Sequence, residues 1–206
     1  MRIGIDFDNT IACYDGVFHK AALERSLITH ELPTSKNAVR DYLNGSGRKD
    51  DFTLLQGHVY GTRMDLVSPY PGLAEFVGRA RSEGHRTFIV SHKTKHPLMG
   101  PAHDMHAAAR AFLGAQNLSG PSAIAADDIY FELTKEEKVA RVAALGCDVF
   151  IDDLPEILTM PGLPAGMRRI LFDPAGDHAA KNLDPTIERH RNWSRIGAIL
   201  LGDANG

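Results

Sequence analysis

The sequence predicts an α/β fold in three layers, a parallel sheet between helices, with a small helical segment inserted after the first strand. Short apolar runs rich in Val, Ile and Phe alternate with stretches of helical periodicity, which is the rhythm of β-α-β units around a parallel sheet. The segment 14–66 breaks this rhythm because it is helical and stands between the first strand and the helix that should follow it. We therefore expect residues 1–13 and 67–206 to form the core and residues 14–66 to form a cap.

The individual elements follow from local patterns along the chain. Short apolar runs, most of them β-branched or aromatic, predict five strands: 2–8, 87–90, 129–133, 148–151 and 169–172. Apolar residues at helical spacing predict the helices: 16–30, 39–43, 52–60, 73–80, 102–115, 135–145 and a tail helix around Trp193. The turn SPYPG places Pro71 at a helix start, and Thr134 with Glu137 forms a capping box.

Composition limits the classes of function. The chain has 206 residues, of which 43% are hydrophobic and 24% charged, and its net charge is −3. This charge gives no electrostatic footprint for nucleic acid, no apolar run is long enough to span a bilayer, and the N-terminus lacks a signal-peptide pattern. We expect a cytoplasmic protein in which Cys13 and Cys147 stay reduced, because their spacing forms no disulfide framework.

Polar side chains close three of the predicted strands: Asp6 with Asp8, Ser91, and Asp152 with Asp153. The carboxyl ends of parallel strands meet at one edge of a sheet, where open α/β sheets bind their ligands. Four carboxylates at one edge repel one another unless a cation neutralises them. Hard oxygen ligands suit Mg²⁺, and a metal, a hydroxyl and an ammonium supply the charge neutralisation that phosphoryl transfer needs. Lys138 and Lys135 both lie near a helix start before Asp152, so either can supply the ammonium.

These motifs resemble those of the haloacid dehalogenase (HAD) superfamily. DFDNTI, IVSHK, Lys138 and FIDDLPE are similar to its four motifs and come in the same order. The resemblance covers residues 1–10 and about 70–173, and it implies a Rossmann-like core. The segment 14–66 matches only in position, as a type 1 cap. Lys138 lies fourteen residues before Asp152, a spacing that resembles nucleotidase-like members and favours Lys138 over Lys135.

The resemblance implies a role for each motif residue. Asp6 would attack phosphorus and form an aspartyl-phosphate. Asp8 would protonate the leaving oxygen and then serve as the base for the hydrolytic water. Ser91 and Lys138 would hold the phosphoryl oxygens. Thr10 would support the turn after the nucleophile and border the substrate.

The same resemblance implies a Mg²⁺ ion held by four residues: Asp6 through its carboxylate, Asp8 through its backbone carbonyl, Asp152 and Asp153. Dehalogenases of the superfamily resemble this pattern but lack an acid at the position of Asp8. The presence of this second acid therefore favours phosphate chemistry over carbon–halogen chemistry.

The loop after Ser91 carries further candidates. His92 and Lys93 are expected to contact the substrate, with a solvated polar loop as the alternative. His103 and His106 have the i, i+3 spacing that can share a zinc ion, although surface helix positions are the favoured interpretation. Four residues after the last strand either rim the site or fold the tail: His178, Lys181, His190 and Trp193.

We therefore expect a Mg²⁺-dependent phosphatase that hydrolyses a small phosphorylated metabolite, a nucleotide or a sugar phosphate, through an aspartyl-phosphate. The alternative is a phospho-ligand-binding or signalling module that keeps the acidic magnesium pocket but turns over slowly or not at all. Receiver domains carry their phosphorylated Asp at the third strand, and the motif order in this chain argues against them. The sequence specifies neither the substrate nor the oligomeric state.

Overall fold

The computed structural model of the protein describes residues 1–179 and 182–202, so the rim candidate Lys181 lies outside the described residues. Contacts between residues group the chain into two compact units: a sheet unit of residues 1–12, 69–92 and 116–206, and a helical unit of residues 13–68 and 93–115. The predicted division into a core and a cap, with its boundaries at residues 13 and 67, stays a prediction.

Six parallel strands form one sheet in the sheet unit: β1 (Arg2–Ile5), β4 (Arg86–His92), β5 (Ile129–Glu132), β6 (Val149–Asp152), β7 (Arg168–Phe172) and β8 (Ile187–His190). Two short strands, β2 (Ala12–Cys13) and β3 (Ser68–Pro69), pair separately. The order in the large sheet is β5-β4-β1-β6-β7-β8. Strands β4 and β5 therefore lie on one side of β1, and strands β6, β7 and β8 lie on the other. The strand order reverses at β1, and α/β sheets bind their ligands at such a reversal.

Helices flank the sheet: α4 (Leu73–Ser82), α6 (Lys135–Ala144), α7 (Pro155–Leu158) and α8 (Trp193–Leu201). Leu171 of β7 packs in an apolar cluster with Val142 of α6. The next residue, Phe172, instead contacts the ring of Trp193 at 5.4 Å. Successive strand residues point to opposite faces of a sheet, so helices cover both faces. The predicted three-layer α/β fold is confirmed.

The centre of β1 is shaped to fit its neighbours. Gly4 pairs with Phe88 on one side and Phe150 on the other. A Cβ at Gly4 would lie 2.8 Å from Cδ2 of Phe150 and 3.1 Å from Sγ of Cys147. Two large rings beside one strand therefore leave no space for a side chain at this position. Both cysteines of the protein are free thiols.

Strand β8 is absent from the sequence prediction, which assigned the tail from Asp184 onward to one helix. Its residues, IERH, are mostly polar, and a four-residue edge strand gives no apolar alternation for pattern analysis to detect. Arg168 of β7 donates from Nε and Nη2 to the carboxylate of Glu188 at 2.9 Å and 2.8 Å. The predicted tail helix itself is shorter and begins at Trp193.

Four helices build the helical unit: α1 (Val17–Glu24), α2 (Lys36–Gly45), α3 (Lys49–Thr62) and α5 (Met105–Ala115). Helix α1 ends earlier than the predicted limit at residue 30. Three rings meet edge to face inside this unit: Tyr14, Phe18 and Tyr60 have centroids 5.1–5.9 Å apart. Among the described residues, no helix is long and apolar enough to cross a membrane.

Candidate active site at the carboxyl edge of the sheet

A tight turn follows β1 and carries the two acids of the first motif. The amide of Asp6 donates to the carbonyl of Ile151 at 2.9 Å, so the backbone at Asp6 stays tied to β6. The carbonyl of Phe7 then accepts hydrogen bonds from the amides of Ile11 at 3.0 Å and Ala12 at 2.9 Å. The chain therefore reverses direction immediately after Asp6 and fixes its backbone at the edge of the sheet.

Asn9 completes this turn. Its φ of 58° lies in the left-handed region, which asparagine tolerates better than most residues. Asp8 precedes it and is partly exposed. The side-chain amide of Asn9 donates to Oδ2 of Asp153 at 3.3 Å. The first and fourth motifs are thus joined by a direct hydrogen bond.

A buried lysine lies between two buried carboxylates. Nζ of Lys138 donates to Oδ1 of Asp6 at 2.6 Å and lies 2.6 Å from Oδ2 of Asp152. Lys138 is 2% exposed, Asp6 4% and Asp152 0%. The capping box of Thr134 places Lys138 in the first turn of α6. The lysine therefore links α6 to the ends of the two adjacent strands β1 and β6.

Burial and charge oppose each other in this cluster. Burial alone would lower the pKa of Lys138, but the attraction of Asp152 and Asp6 outweighs it and raises that pKa above the usual lysine value. For Asp152, burial disfavours the carboxylate and raises its pKa, against the attraction of Lys138. The amide of Leu154 donates to Oδ1 of Asp152 at 2.9 Å and also favours the ionised form. When both acids are ionised, one cation for two buried carboxylates leaves net negative charge.

Ser91 lies at the same edge of the sheet. It is buried within β4 and pairs with Phe131 of β5. Ile89 pairs with Ile5 of β1, so Ser91 stands two residues further toward the carboxyl edge, level with Phe7. The first, second and fourth motifs therefore lie at the carboxyl ends of the adjacent strands β1, β4 and β6, as the strand-end pattern predicts, and Lys138 of α6 contacts the first and the fourth. The catalytic and ligand roles of these residues stay predictions.

Structural comparison places this fold among known ones. No protein-family model and no curated protein sequence matches the chain. A HAD phosphatase from Thermococcus onnurineus is similar over 98% of both chains, with 14% identity and a TM-score of 0.55. A HAD-superfamily hydrolase of subfamily IA from Geobacter sulfurreducens gives 0.57 at 12% identity, covering 97% of this chain and 96% of its own. One from Ehrlichia chaffeensis gives 0.53 at 15% identity, with coverages of 96% and 94%.

The chain has the HAD-superfamily fold. The resemblance drawn from the four motifs is thus confirmed at the level of the fold. At a sequence identity of 12–15%, the similarity to these structures shows the fold alone. The activity has to be argued from the residues of the site.

The donor set at this edge of the sheet fits a magnesium ion. Asp6, Asp152 and Asp153 each offer a carboxylate oxygen, and these oxygens lie within 4.8 Å of one another. In the described part of the chain, this is the only group of three such His, Cys, Asp or Glu side chains. Three carboxylates with one lysine leave an excess of negative charge and an all-oxygen donor set, which suit Mg²⁺. The zinc alternative at His103 and His106 gains no support.

The two lysines considered for the HAD-like third motif have different surroundings. Lys138 is in the acid cluster described above. Lys135 is 41% exposed at its side chain, and its ammonium lies 3.6 Å from the carboxylate of Glu156 at the surface. Only Lys138 is thus placed against the predicted nucleophile.

Thr10 is fully buried, and its hydroxyl has no hydrogen-bond partner among the described residues. Its carbonyl accepts a hydrogen bond from Nε1 of Trp193 at 3.2 Å. The two predicted roles of Thr10, support of the turn and contact with substrate, stay predictions. Trp193 is likewise buried and fastens the tail helix to the turn. His190 lies in β8, and the amide of His178 donates to Asp173 at 3.2 Å.

The last two predicted substrate contacts belong to different units. His92 ends β4 in the sheet unit and is partly exposed. Lys93 follows it directly but belongs to the helical unit, where it is 4% exposed. Two contributors escaped the sequence analysis. Asn9 orients Asp153, and its position in a turn after two acids is a detectable signal. The ring of Phe150, 5.5 Å from Nζ of Lys138, gives no such signal.

Proposed function

We propose that the protein is a Mg²⁺-dependent phosphatase that hydrolyses a small phosphorylated metabolite through a phosphoryl group carried on Asp6. The observation that carries this proposal is the buried Asp6 carboxylate, held by Lys138 at 2.6 Å beside two further acids. The similar structure from Thermococcus onnurineus is a HAD phosphatase, which supports the same reaction class. Nucleotides and sugar phosphates are both candidate substrates.

The first half of the reaction forms the covalent intermediate. A carboxylate oxygen of Asp6 attacks phosphorus, and the bond from phosphorus to the ester oxygen breaks. Protonated Asp8 gives its proton to that oxygen, which leaves as an alcohol. The hydrogen bond from Lys138 fixes the rotation of the Asp6 carboxylate, so the attacking oxygen needs no reorientation.

The second half releases phosphate. Asp8, now ionised, accepts a proton from a water molecule while that water attacks phosphorus. The bond between phosphorus and Asp6 breaks, and the carboxylate returns with inorganic phosphate as the product. The hydroxyl of Ser91 and the ammonium of Lys138 hold the phosphoryl oxygens during both steps.

Asp6, Asp152 and Asp153 would hold Mg²⁺, with Asp8 adding its backbone carbonyl. The bound ion supplies charge neutralisation to the phosphoryl oxygens. Asn9 keeps Asp153 oriented through its 3.3 Å hydrogen bond, and Leu154 does the same for Asp152.

The test is release of inorganic phosphate from a panel of nucleotides, sugar phosphates and glycerol-type phosphates, with Mg²⁺ and with EDTA. We expect at least one ester to be hydrolysed with Mg²⁺ and none with EDTA. Asp41→Asn, at an exposed acid of the helical unit, is the matched control for Asp6→Asn. Tight binding of a phosphate ester without turnover across the whole panel would support the binding-module alternative instead.

A further inference from the structure

The loop that follows β4, residues 93–104, closes on itself within the helical unit. Nε2 of His106 lies 2.6 Å from the carbonyl oxygen of Lys93, and the amide of Met105 donates to the carbonyl of Lys95 at 2.8 Å. Both ends of the loop are therefore tied to the start of α5. The loop begins two residues after Ser91, yet its contacts group it with the helical unit.

Two glycines of α3 leave space for this loop to approach the helix closely. Gly57 and Gly61 are four residues apart and so share one face of the helix. A Cβ at Gly57 would lie 2.7 Å from Cβ of Pro97, and a Cβ at Gly61 would lie 2.5 Å from Cβ of His103. Neither glycine has a positive φ, so the close approach of the loop, and not the backbone conformation, requires glycine.

Tyr60 lies between these glycines in sequence and holds the first residue of the loop. The ammonium of Lys93 is 4.4 Å from the centroid of its ring, a cation–π contact. The Tyr60 hydroxyl accepts a hydrogen bond from Nζ of Lys36 at 2.8 Å, and the edge-to-face contacts with Tyr14 and Phe18 hold the ring. Helix α3 therefore provides a contact that helps to hold the Lys93 ammonium.

Between these contacts, α3 and the loop border an open pocket of about 120 Å³, lined on the helix side by Thr53 and Gln56 and on the loop side by Thr94 and Leu98. The loop thus does not pack continuously on the helix. The two glycine approaches and the Tyr60–Lys93 contact fix it at separate points.

We propose that Gly57, Tyr60 and Gly61 are positioning residues that attach Lys93, two residues after Ser91 in the chain, to helix α3, and that this attachment affects the rate of the reaction. This inference rests on the proposed phosphatase function. The chain alone keeps the α carbons of Ser91 and Lys93 within about 7 Å of each other, and a catalytic group misplaced by about 1 Å can cost roughly 100-fold in rate. A side chain at Gly61 is therefore expected to act on catalysis through Lys93.

The experiment compares Gly61→Ala with Gly45→Ala. Gly45 ends α2 in the same unit, and a Cβ there meets nothing within 4 Å. We expect Gly61→Ala to lower kcat/KM on the best substrate of the panel by about 10- to 100-fold, with the control unchanged. Adding His103→Gly to Gly61→Ala removes the clashing Cβ and should restore most of the loss.

Tyr60 provides the second pair of variants. Tyr60→Phe keeps the ring face under Lys93 and should stay within about 3-fold of the parent, whereas Tyr60→Leu removes the face and should lose about 5- to 30-fold in kcat/KM. Equal kinetics for these two variants, or for Gly61→Ala and Gly45→Ala, would overturn the positioning role.

A readout without catalysis separates this inference from the proposed function. Acetic anhydride labelling, followed by peptide mass spectrometry, reports the reactivity of Lys93 against exposed Lys49 as internal standard. We expect slow labelling of Lys93 in the parent, where it is 4% exposed, and at least about 5-fold faster labelling in Tyr60→Leu and Gly61→Ala, because their Lys93 loses its contact with the ring. If the parent hydrolyses no ester, the proposed phosphatase function alone is wrong. If the labelling rate of Lys93 is unchanged in the variants, the proposed attachment of Lys93 to α3 is wrong.

Discussion

Replacing Lys138 with methionine removes one charge that serves two carboxylates. The ammonium lies 2.6 Å from both Asp6 and Asp152, and all three side chains are at least 95% buried. Deleting one member of a buried ion pair costs about 3–5 kcal/mol, because the partner charge stays buried without compensation. We therefore expect Lys138→Met to lower the free energy of unfolding by about 3–5 kcal/mol at pH 7 in EDTA. A change of this size exceeds a quarter of the stability of most domains.

Urea unfolding followed by circular dichroism measures this loss, and Lys135→Met is the matched control. Lys135 is exposed and pairs only loosely with Glu156 at 3.6 Å, so its loss should cost at most about 1 kcal/mol. Mg²⁺ should recover part of the stability of Lys138→Met, because a cation bound by the three acids replaces the lost charge. Phosphatase activity should disappear in Lys138→Met and persist in Lys135→Met. The reasoning is refuted if both variants unfold at the same urea concentration, or if Lys135→Met is the inactive one.

Three further predictions concern the sheet unit. Arg168 lowers the pKa of Glu188 below its usual value, so the pair stabilises the protein above about pH 4.5, and this contribution is lost as the pH falls through the lowered pKa. Glu188→Gln should cost about 0.5–1 kcal/mol in urea unfolding at pH 7, and the cost should shrink as the pH is lowered below about 4.5. Burial raises the pKa of Cys147 to about 11. In a Cys13→Ser background, the Cys147 thiol of the folded protein should therefore react with a disulfide reagent at pH 8 about 100-fold more slowly than the same thiol of the urea-unfolded protein. Equal rates for the folded and unfolded protein would contradict this. Gly4→Ala should cost about 1–3 kcal/mol by overpacking against Phe150, and an unchanged melting temperature would show that the ring can yield.

Much of the sheet unit is predictable from sequence because its signals are local. The apolar run before Asp6 and the capping box at Thr134 are each encoded within a few residues. The convergence of Asp6, Ser91 and Asp152 then follows from one rule, that parallel strands end at a common edge. No such rule exists for β8, whose sequence is polar and whose place is set by pairing with β7.

Local sequence patterns do not decide between Lys138 and Lys135 as the lysine of the site. The two residues are three apart on one helix and so face similar directions. Their difference is tertiary, since Lys138 meets Asp6 and Asp152 while Lys135 meets Glu156. Spacing alone favoured one of them without deciding the matter.

The assignment of Lys93 to the helical unit depends on packing that sequence patterns do not express. The predicted core begins again at residue 67 and includes the whole loop after β4, and that division stays a prediction. The loop itself packs at the space left by Gly57 and Gly61 and at the ring of Tyr60. In a sequence, glycine within a helix indicates only a lower helix propensity. The structure is needed to show which residue packs against that glycine at close range.

The central claim, that Asp6 carries the phosphoryl group, is tested most directly by acid-quenching the protein with Mg²⁺ and an excess of its best substrate, followed by peptide mass spectrometry. We expect the peptide containing Asp6 to gain the mass of one phosphoryl group in the parent, and no peptide to gain it in Asp6→Asn, which should also release no phosphate. Continued phosphate release by Asp6→Asn at the parent's rate, or a phosphoryl group on a different residue of the parent, would contradict the account.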